Sequence, residues 1–165
     1  MLVRPARRED AAAIAEVHVL TWRVAYEHIF GAERVAEIGG GRRAQWEERL
    51  ANPEPGRQVF VSEEDDGRVT GFVSIGESRD EPGKGELFAI YVLPEAWGAG
   101  AGPALMASAL EGLRGYSSAT LWVLEDNPRA RRFYEREGWI LDGGRRDEEI
   151  LGMTVTEVRY RTTFD

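Results

Sequence analysis

The feature that most constrains this chain of 165 residues is a glycine-rich turn between an apolar segment and a helical pattern. Residues 87–93 are almost wholly apolar, which is typical of a strand buried at the centre of a sheet. Pro94 and three glycines (Gly98, Gly100 and Gly102) follow, and apolar residues then recur at helical spacing over residues 105–113. A strand, a glycine turn and a helix in this order predict a mixed α/β domain.

The rest of the chain predicts alternating helices and strands, with no internal repeat. Asp10 is a candidate cap for a first helix that ends at Gly31, and Asp66-Gly67 is a hairpin signal. Strands are expected at 2–4, 58–61, 69–75, 120–124, 139–141 and 153–160, and further helices at 42–50 and 128–137. The predicted order is β-α-α-β-β-β-α-β-α-β-β. Residues 1–165 are interpreted as one domain, consistent with their number.

Charge and composition exclude several functional classes. The chain has 21 basic and 29 acidic residues, a formal charge of −8, which argues against a nucleic-acid partner. It has no cysteine, which excludes disulfides, cysteine-ligated zinc and covalent cysteine catalysis. His18 and His28 lie ten residues apart and lack the spacing of a helical metal pair, so no metal is expected. No apolar run approaches the length of a membrane span and the N-terminus is polar, so we expect a cytoplasmic protein without a membrane partner.

The glycine turn has the features of a phosphate-binding site. Unpaired N–H groups and the positive end of a helix converge at such a junction, and glycines let a phosphate approach the backbone. The dinucleotide pattern G-x-G-x-x-G fails, because its last position falls on Leu105 or Pro103. A Walker loop fails because no Gly-Lys-Ser/Thr follows. A plain turn and a nucleotide-phosphate site remain as alternatives at this point.

Two stretches resemble the signatures of the GNAT superfamily of N-acetyltransferases. Residues 86–95 followed by Trp97-Gly98-Ala99-Gly100-Ala101-Gly102 resemble its acetyl-CoA-binding motif, Gln/Arg-x-x-Gly-x-Gly/Ala after a strand. Residues 127–134 (Asn-Pro-Arg-Ala-Arg-Arg-Phe-Tyr) and the following Gly-Trp at 138–139 resemble its second signature. The resemblance implies a mixed, mostly antiparallel sheet with a parallel, splayed central pair and helices on both faces. Acetyl-CoA would lie where the central strand separates from its neighbour.

The resemblance also implies which residues bind the cofactor: Ile90, Val92, Gly98, Ala99, Gly100, Ala101, Gly102, Asn127 and Ala130. Val92 would act through its backbone, and Ala130 would leave room for the ligand. The sequence departs from the family at Trp97, where Gln or Arg is preferred, and at Ala99 and Pro103, where basic or hydroxyl side chains often assist the pyrophosphate. Because Pro103 also lacks an N–H group, phosphate binding must depend more on other backbone amides.

Acetyl transfer to an amine needs a base for the ammonium group, a donor for the thioester oxygen and an acid for the thiolate. The resemblance places Glu86 at the position of a general base; the alternative is an exposed acid after the turn at 83–85. If strand alternation holds, Glu86, Phe88 and Ile90 share one face and the carboxylate meets an apolar channel. The resemblance makes Tyr134 the general acid; the alternative is a tyrosine packed beside Phe133.

Several further side chains have two interpretations. Trp22, Tyr26 and Trp46 lie on the first two helices, which in the family often cover the acceptor site, although core packing is favoured for at least two of them. The arginines at 129, 131, 132 and 136 could reach a CoA phosphate, although a solvated helix face is favoured for most.

The sequence therefore predicts an N-acetyltransferase that moves the acetyl group of acetyl-CoA to a primary amine by direct attack in a ternary complex. The acceptor would be a small-molecule or peptide amine. The negative net charge of the chain favours a cationic acceptor such as a polyamine, an aminoglycoside or a peptide N-terminus. The rival is a non-catalytic domain that binds or senses acyl-CoA. Homodimers are common in the family.

Overall fold

The computed structural model describes residues 1–165, apart from the side chain of Ile38. The helices are α1 (Ala11–Phe30), α2 (Ala32–Ala36), α3 (Arg42–Ala51), α4 (Ala101–Leu113) and α5 (Pro128–Arg136). The strands are β1 (Leu2–Pro5), β2 (Gln58–Glu63), β3 (Val69–Glu77), β4 (Gly85–Val92), β5 (Ser118–Leu124), β6 (Ile140–Ile150) and β7 (Met153–Thr163). None of the described helices is long and apolar enough to cross a membrane.

The seven strands form one sheet in the order β1-β2-β3-β4-β5-β7-β6. Every neighbouring pair is antiparallel except β4 and β5. These two strands pair in parallel only at Gly85 with Ala119 and at Glu86 with Thr120, and then separate. The predicted mixed sheet with a splayed parallel pair is confirmed.

Helices cover both faces of the sheet, as predicted. On one face α4 packs its buried Leu105, Met106 and Leu113 against the sheet. On the other face α1 and α3 pack around Ile14 and Trp46. The sheet is therefore a wall between two apolar cores, and burial of apolar area on both sides provides the main driving force for folding.

The chain differs locally from the sequence-based expectation. Asp10 precedes α1, but its carboxylate accepts hydrogen bonds from the Arg7 backbone N–H (2.6 Å) and the Arg4 guanidinium (2.8 Å) and does not cap α1. Gly31 ends α1 with a φ of 83°, yet the unpredicted helix α2 begins directly after it. Strand β6 extends to Ile150, well beyond 141, because its charged residues pair with β7 along the solvent-exposed edge.

A bulge in β4 changes which residues share a face. The pairing with β3 shifts there and leaves Phe88 as an extra residue. Leu87 and Ile90 join the core under α4, whereas Tyr91 joins the core under α1. Glu86 is adjacent to Leu87 and so faces the α1 side. The expectation that Glu86, Phe88 and Ile90 share one face is wrong, because the extra residue breaks the two-residue period.

Candidate active site

A cavity of about 720 Å³ lies where β4 and β5 separate. Because these strands lose their pairing after Glu86 and Thr120, the sheet opens here and admits a ligand between two backbones. Its walls come from α1, β4, the glycine turn (residues 98–102), β5, α5 and β7. The volume lies within the usual range for small-molecule and cofactor sites.

The glycine turn forms one end of the cavity. Gly98 and Gly100 adopt φ values of 82° and 92°, which side chains other than glycine rarely tolerate. The backbone N–H groups of Gly98, Gly100, Ala101 and Gly102 have no hydrogen-bond acceptor among the described residues. Free amides at the positive end of α4 therefore form a cradle for an anion.

Trp97 occupies the position before the glycine turn. Its indole Nε1–H donates a 2.8 Å hydrogen bond to the carbonyl oxygen of Val92 at the end of β4. The guanidinium of Arg129 lies 3.5 Å from the centre of the indole ring, within cation–π distance. Trp97 thus ties the glycine turn to β4 and holds a cation beside it.

Three arginines on α5 face the same part of the cavity. Arg129, Arg132 and Arg136, here called the arginine stripe, all line it and recur at helical spacing. None of the three forms an ion pair with another described residue. Arg131 points elsewhere, since it donates to the Tyr160 hydroxyl (3.0 Å) and to the Glu125 carbonyl (3.1 Å). The arginine stripe brings positive charge to the cavity, whereas Ala99 and Pro103, which stand where the family often has basic or hydroxyl side chains, bring none.

Asn127 connects two walls of the cavity. Its Oδ1 accepts a hydrogen bond from the Ala130 backbone N–H (3.2 Å) and caps α5. Its Nδ2 donates to the Tyr26 hydroxyl on α1 (3.5 Å). The predicted capping role is confirmed, and the same amide ties α1 to α5.

Tyr134 lies near the middle of the cavity. Its ring is buried, and its hydroxyl makes no hydrogen bond with the described residues. Burial and the neighbouring Tyr26 raise the pKa of the Tyr134 phenol above its ordinary value, and burial likewise raises the pKa values of Tyr26 and Tyr91. A phenol with an ordinary or raised pKa stays protonated at neutral pH, so the Tyr134 hydroxyl, which has no partner among the described residues, can donate a hydrogen bond to a ligand.

Glu86 lies next to the cavity but outside its lining. The carboxylate is fully buried, and it accepts hydrogen bonds from the Arg79 backbone N–H (3.1 Å) and guanidinium (2.7 Å). The same guanidinium lies 5.1 Å from the centre of the Phe88 ring, which does line the cavity. The carboxylate is therefore held in an ion pair with Arg79, and neither residue lines the cavity.

The opposite end of the cavity, here called the α1–β7 arm, is lined by Trp22, Ala25, Tyr26, Trp122, Leu124, Ile150 and Glu157. The rings of Trp22 and Tyr26 lie 4.3 Å apart. Glu157 contributes a carboxylate to a surface that is otherwise aromatic and apolar. This end differs in chemistry from the glycine turn and the arginine stripe.

Comparison with known proteins assigns the family. A family model described as the Acetyltransferase (GNAT) family matches residues 13–139, more than half of the chain. The chain belongs to the GNAT family. The uncharacterised N-acetyltransferase YuaI of Bacillus subtilis is 39% identical to this GNAT chain over 131 residues, which cover 76% of the chain and 73% of YuaI. An uncharacterised N-acetyltransferase of Mycobacterium tuberculosis is 30% identical over 142 residues, 82% of this chain and 86% of that protein.

Solved structures share the GNAT fold. The PaiA N-acetyltransferase of Thermoplasma acidophilum, solved with coenzyme A, superposes with a TM-score of 0.77 at 18% identity and covers 99% of this chain and 98% of its own. YncA of Salmonella typhimurium, solved with acetyl-CoA, superposes with a TM-score of 0.74 at 24% identity over 100% and 94% of the two chains. As a GNAT member with relatives named N-acetyltransferases, the chain is an acyltransferase enzyme.

The fold gathers most of the residues that the GNAT resemblance suggested. The cavity is lined by Ile90, Val92, Gly98, Gly100, Gly102, Asn127, Ala130 and Tyr134. Ala99 is exposed and Ala101 is buried beneath the turn, and neither lines the cavity. Glu86 is likewise outside it.

Other cavity residues were missed by sequence reasoning or given a lesser role. Core packing is favoured from sequence for at least two of Trp22, Tyr26 and Trp46, and Tyr26 and Trp46 are indeed buried in the cores. Trp22 and Tyr26 also form one side of the α1–β7 arm. Trp122 and Glu157 belong to no GNAT signature. Leu124 pairs with Glu157 across 33 positions of sequence, so only the strand pairing reveals that this carboxylate reaches the cavity.

Proposed function

We propose that this GNAT enzyme transfers the acetyl group of acetyl-CoA to a primary amine within a ternary complex. The observation that carries the proposal is a single cavity with chemically different ends. One end offers free amides and the arginine stripe, which suit the phosphates of CoA. The other offers a carboxylate among aromatic rings, which suits an amine. Both substrates can therefore occupy the cavity together.

The reaction joins the amine nitrogen to the thioester carbonyl carbon and breaks the carbon–sulfur bond. The ammonium group loses one proton before attack and the new amide nitrogen loses a second. CoA leaves as a thiolate and takes up one proton, so one proton is released overall. The backbone at Val92, at the end of β4, would orient the pantetheine and polarise the carbonyl.

Tyr134 is the proposed acid for the thiolate. Its hydroxyl faces the cavity, and its raised pKa keeps the phenol protonated. The free thiol of CoA titrates below a phenol, since thiols have pKa values near 8.5 and phenols near 10. Because burial raises the Tyr134 pKa further above that of the thiol, the hydroxyl stabilises the thiolate by hydrogen bonding, and full proton transfer requires a thiolate whose own pKa is raised by poor solvation.

Glu86 is the proposed base. Because Glu86 is buried and does not line the cavity, proton transfer to its carboxylate requires a water molecule between the amine and the carboxylate. A chain of this kind is compatible with general-base catalysis, which tolerates one intervening water.

The proposal is tested by thiol release from acetyl-CoA across a panel of primary amines. The chain has no cysteine, so a thiol-reactive dye reports only the CoA product. We expect turnover with at least one amine, and Glu86→Gln should lower it about 10²-fold at neutral pH. The loss should shrink at high pH, where the amine is already neutral.

Two outcomes would contradict these assignments. Tight acetyl-CoA binding without thiol release on any amine would replace the transferase with the acyl-CoA-sensing alternative, which the relatives do not favour. A Glu86→Gln variant with the parent's rate and pH profile would remove the base role from Glu86.

A further inference from the structure

We propose that the α1–β7 arm takes a primary monoamine with an apolar or aromatic body, and that Glu157 binds its ammonium group as the ternary complex forms, before the same nitrogen loses its proton and attacks the thioester. This inference rests on the proposed function and specifies its acceptor. It assigns a substrate-binding role to a residue outside both GNAT signatures.

The walls of the arm favour an apolar body. Trp22, Ala25 and Tyr26 lie on consecutive turns of α1 and face Leu124 and Ile150 across the opening. Apolar surface of this kind gains by leaving water when a hydrocarbon or ring packs against it.

Glu157 keeps one carboxylate oxygen available to a ligand although it already has a cationic neighbour. Its Oε1 accepts a hydrogen bond from Arg146 Nε (2.9 Å). The same guanidinium lies 3.3 Å from Glu148 and 3.6 Å from Asp80, so three carboxylates surround it, while the charge of Arg79 also acts on Glu157 and Asp80. Oε2 of Glu157 accepts no hydrogen bond from the described residues. The side chain is only 15% exposed, so an ammonium group bound there is largely shielded from water.

The same geometry disfavours two other kinds of amine. A polyamine would bring further ammonium groups into an arm whose remaining walls are apolar, and each would lose its hydration without a partner. An amino acid would place a second carboxylate near Glu157, where like charges repel. Arg146 cannot offset that repulsion because three carboxylates already surround it.

The test uses 2-phenylethylamine as the probe. Phenylalanine, an amino acid, and spermidine, a polyamine, are compared with it. Calorimetric titration of the protein saturated with CoA should give the tightest binding for 2-phenylethylamine. Glu157→Gln should weaken that binding about 10-fold to 100-fold, the usual range for a lost charge-assisted hydrogen bond. Glu157→Asp, which keeps the charge, should recover part of the affinity.

Glu148→Gln is the matched control. It also removes a carboxylate from Arg146, but Glu148 does not line the cavity, so it should leave amine binding within about 2-fold of the parent. In steady-state assays Glu157→Gln should raise KM for the amine while KM for acetyl-CoA stays constant. A structural role alone would change the melting temperature and both KM values.

The outcomes separate this inference from the proposed function. Equal effects of Glu157→Gln and Glu148→Gln, or tighter binding of spermidine or phenylalanine, would overturn the inference even if acetyl transfer occurs. Glu157-dependent amine binding without any thiol release would support the amine site and reject the transferase.

Discussion

Tyr134 illustrates how one side chain can have a packing role and a chemical role at once. Its ring contributes to the core under α4 and α5, with the Tyr160 ring centre 6.3 Å away, while its hydroxyl faces the cavity. Replacement by phenylalanine keeps the ring and removes only the hydroxyl, so the two roles can be measured separately.

We expect Tyr134→Phe to lower kcat about 10-fold to 10³-fold with little change in acetyl-CoA affinity, because a bond made mainly in the transition state appears in kcat. Burial raises the pKa of Tyr134, so kcat of the parent should show no loss from this group up to about pH 10. Steady-state kinetics and a melting curve check both points. A variant that melts at lower temperature but keeps its kcat would make Tyr134 a packing residue.

The sequence predicts the residues at the glycine-turn end of the cavity well and those of the α1–β7 arm poorly, for a physical reason. Gly98, Gly100 and Asn127 act through backbone conformation or local capping, so neighbouring residues reveal their roles. Glu157 depends on pairing between distant strands. Glu86 lies at its expected position in the strand, but the Arg79 ion pair that covers it arises from a loop contact without a sequence signal.

At the scale of elements, helix α5 presents different kinds of side chain on different faces. The arginine stripe faces the cavity, while Tyr134 is buried against the sheet. The sequence pattern alone could not distinguish the stripe from a solvated face, since both have charges at helical spacing. Similarly, α2 and most of β6 lack the apolar periodicity that predicts an element. Helix α2 is anchored by Val35, which is buried in a core cluster with Phe30, and β6 is supported by its pairing with β7.

We expect the double variant Arg129→Gln and Arg132→Gln to weaken acetyl-CoA binding about 10-fold or more, because it removes charge-assisted bonds to phosphate. Its affinity should also depend less on salt than that of the parent. Arg114→Gln is the control, since Arg114 is exposed and pairs with Glu111. Calorimetry at low and high salt provides the measurement, and an affinity equal to that of the control would show that the stripe is only a solvated face.

At the scale of the whole molecule, the core between the sheet and helices α1 and α3 contains a histidine. His18 contacts the rings of Trp46, Phe72 and Tyr91, and its Nδ1 accepts a hydrogen bond from the Trp46 indole (3.3 Å). Burial, with smaller contributions from the charges of Arg42 and Arg49, lowers the pKa of His18 to about 3. The folded state therefore holds this residue neutral.

The sign of the resulting pH dependence follows from linkage. An unfolded histidine titrates near pH 6.5, so below that pH the unfolded state binds a proton that the folded state excludes. The free energy of unfolding should fall with decreasing pH, with a slope approaching about 1.4 kcal/mol per pH unit below pH 6. Carboxylates add to the loss only nearer pH 4.

Urea unfolding at several pH values tests this origin. His18→Gln should remove the slope between pH 6.5 and 4.5, whereas His28→Gln, at the exposed second histidine, should retain it. Identical slopes in both variants would assign the acid sensitivity to other groups.

The overall fold is the scale at which the sequence was most informative, since the order of elements and two motifs together leave few topologies.

The division of the cavity has a consequence for how such an enzyme diversifies. The glycine turn and α5 form the end of the cavity that we propose binds CoA, while α1 and the β6–β7 hairpin form the other. Because β6 is the edge strand of the sheet, residues of the hairpin can change without altering the glycine turn or α5. Substitutions confined to the β6–β7 hairpin could therefore change which acceptor such an enzyme uses. The same hairpin, exchanged as a cassette between relatives, would be the shortest engineering route to a different amine.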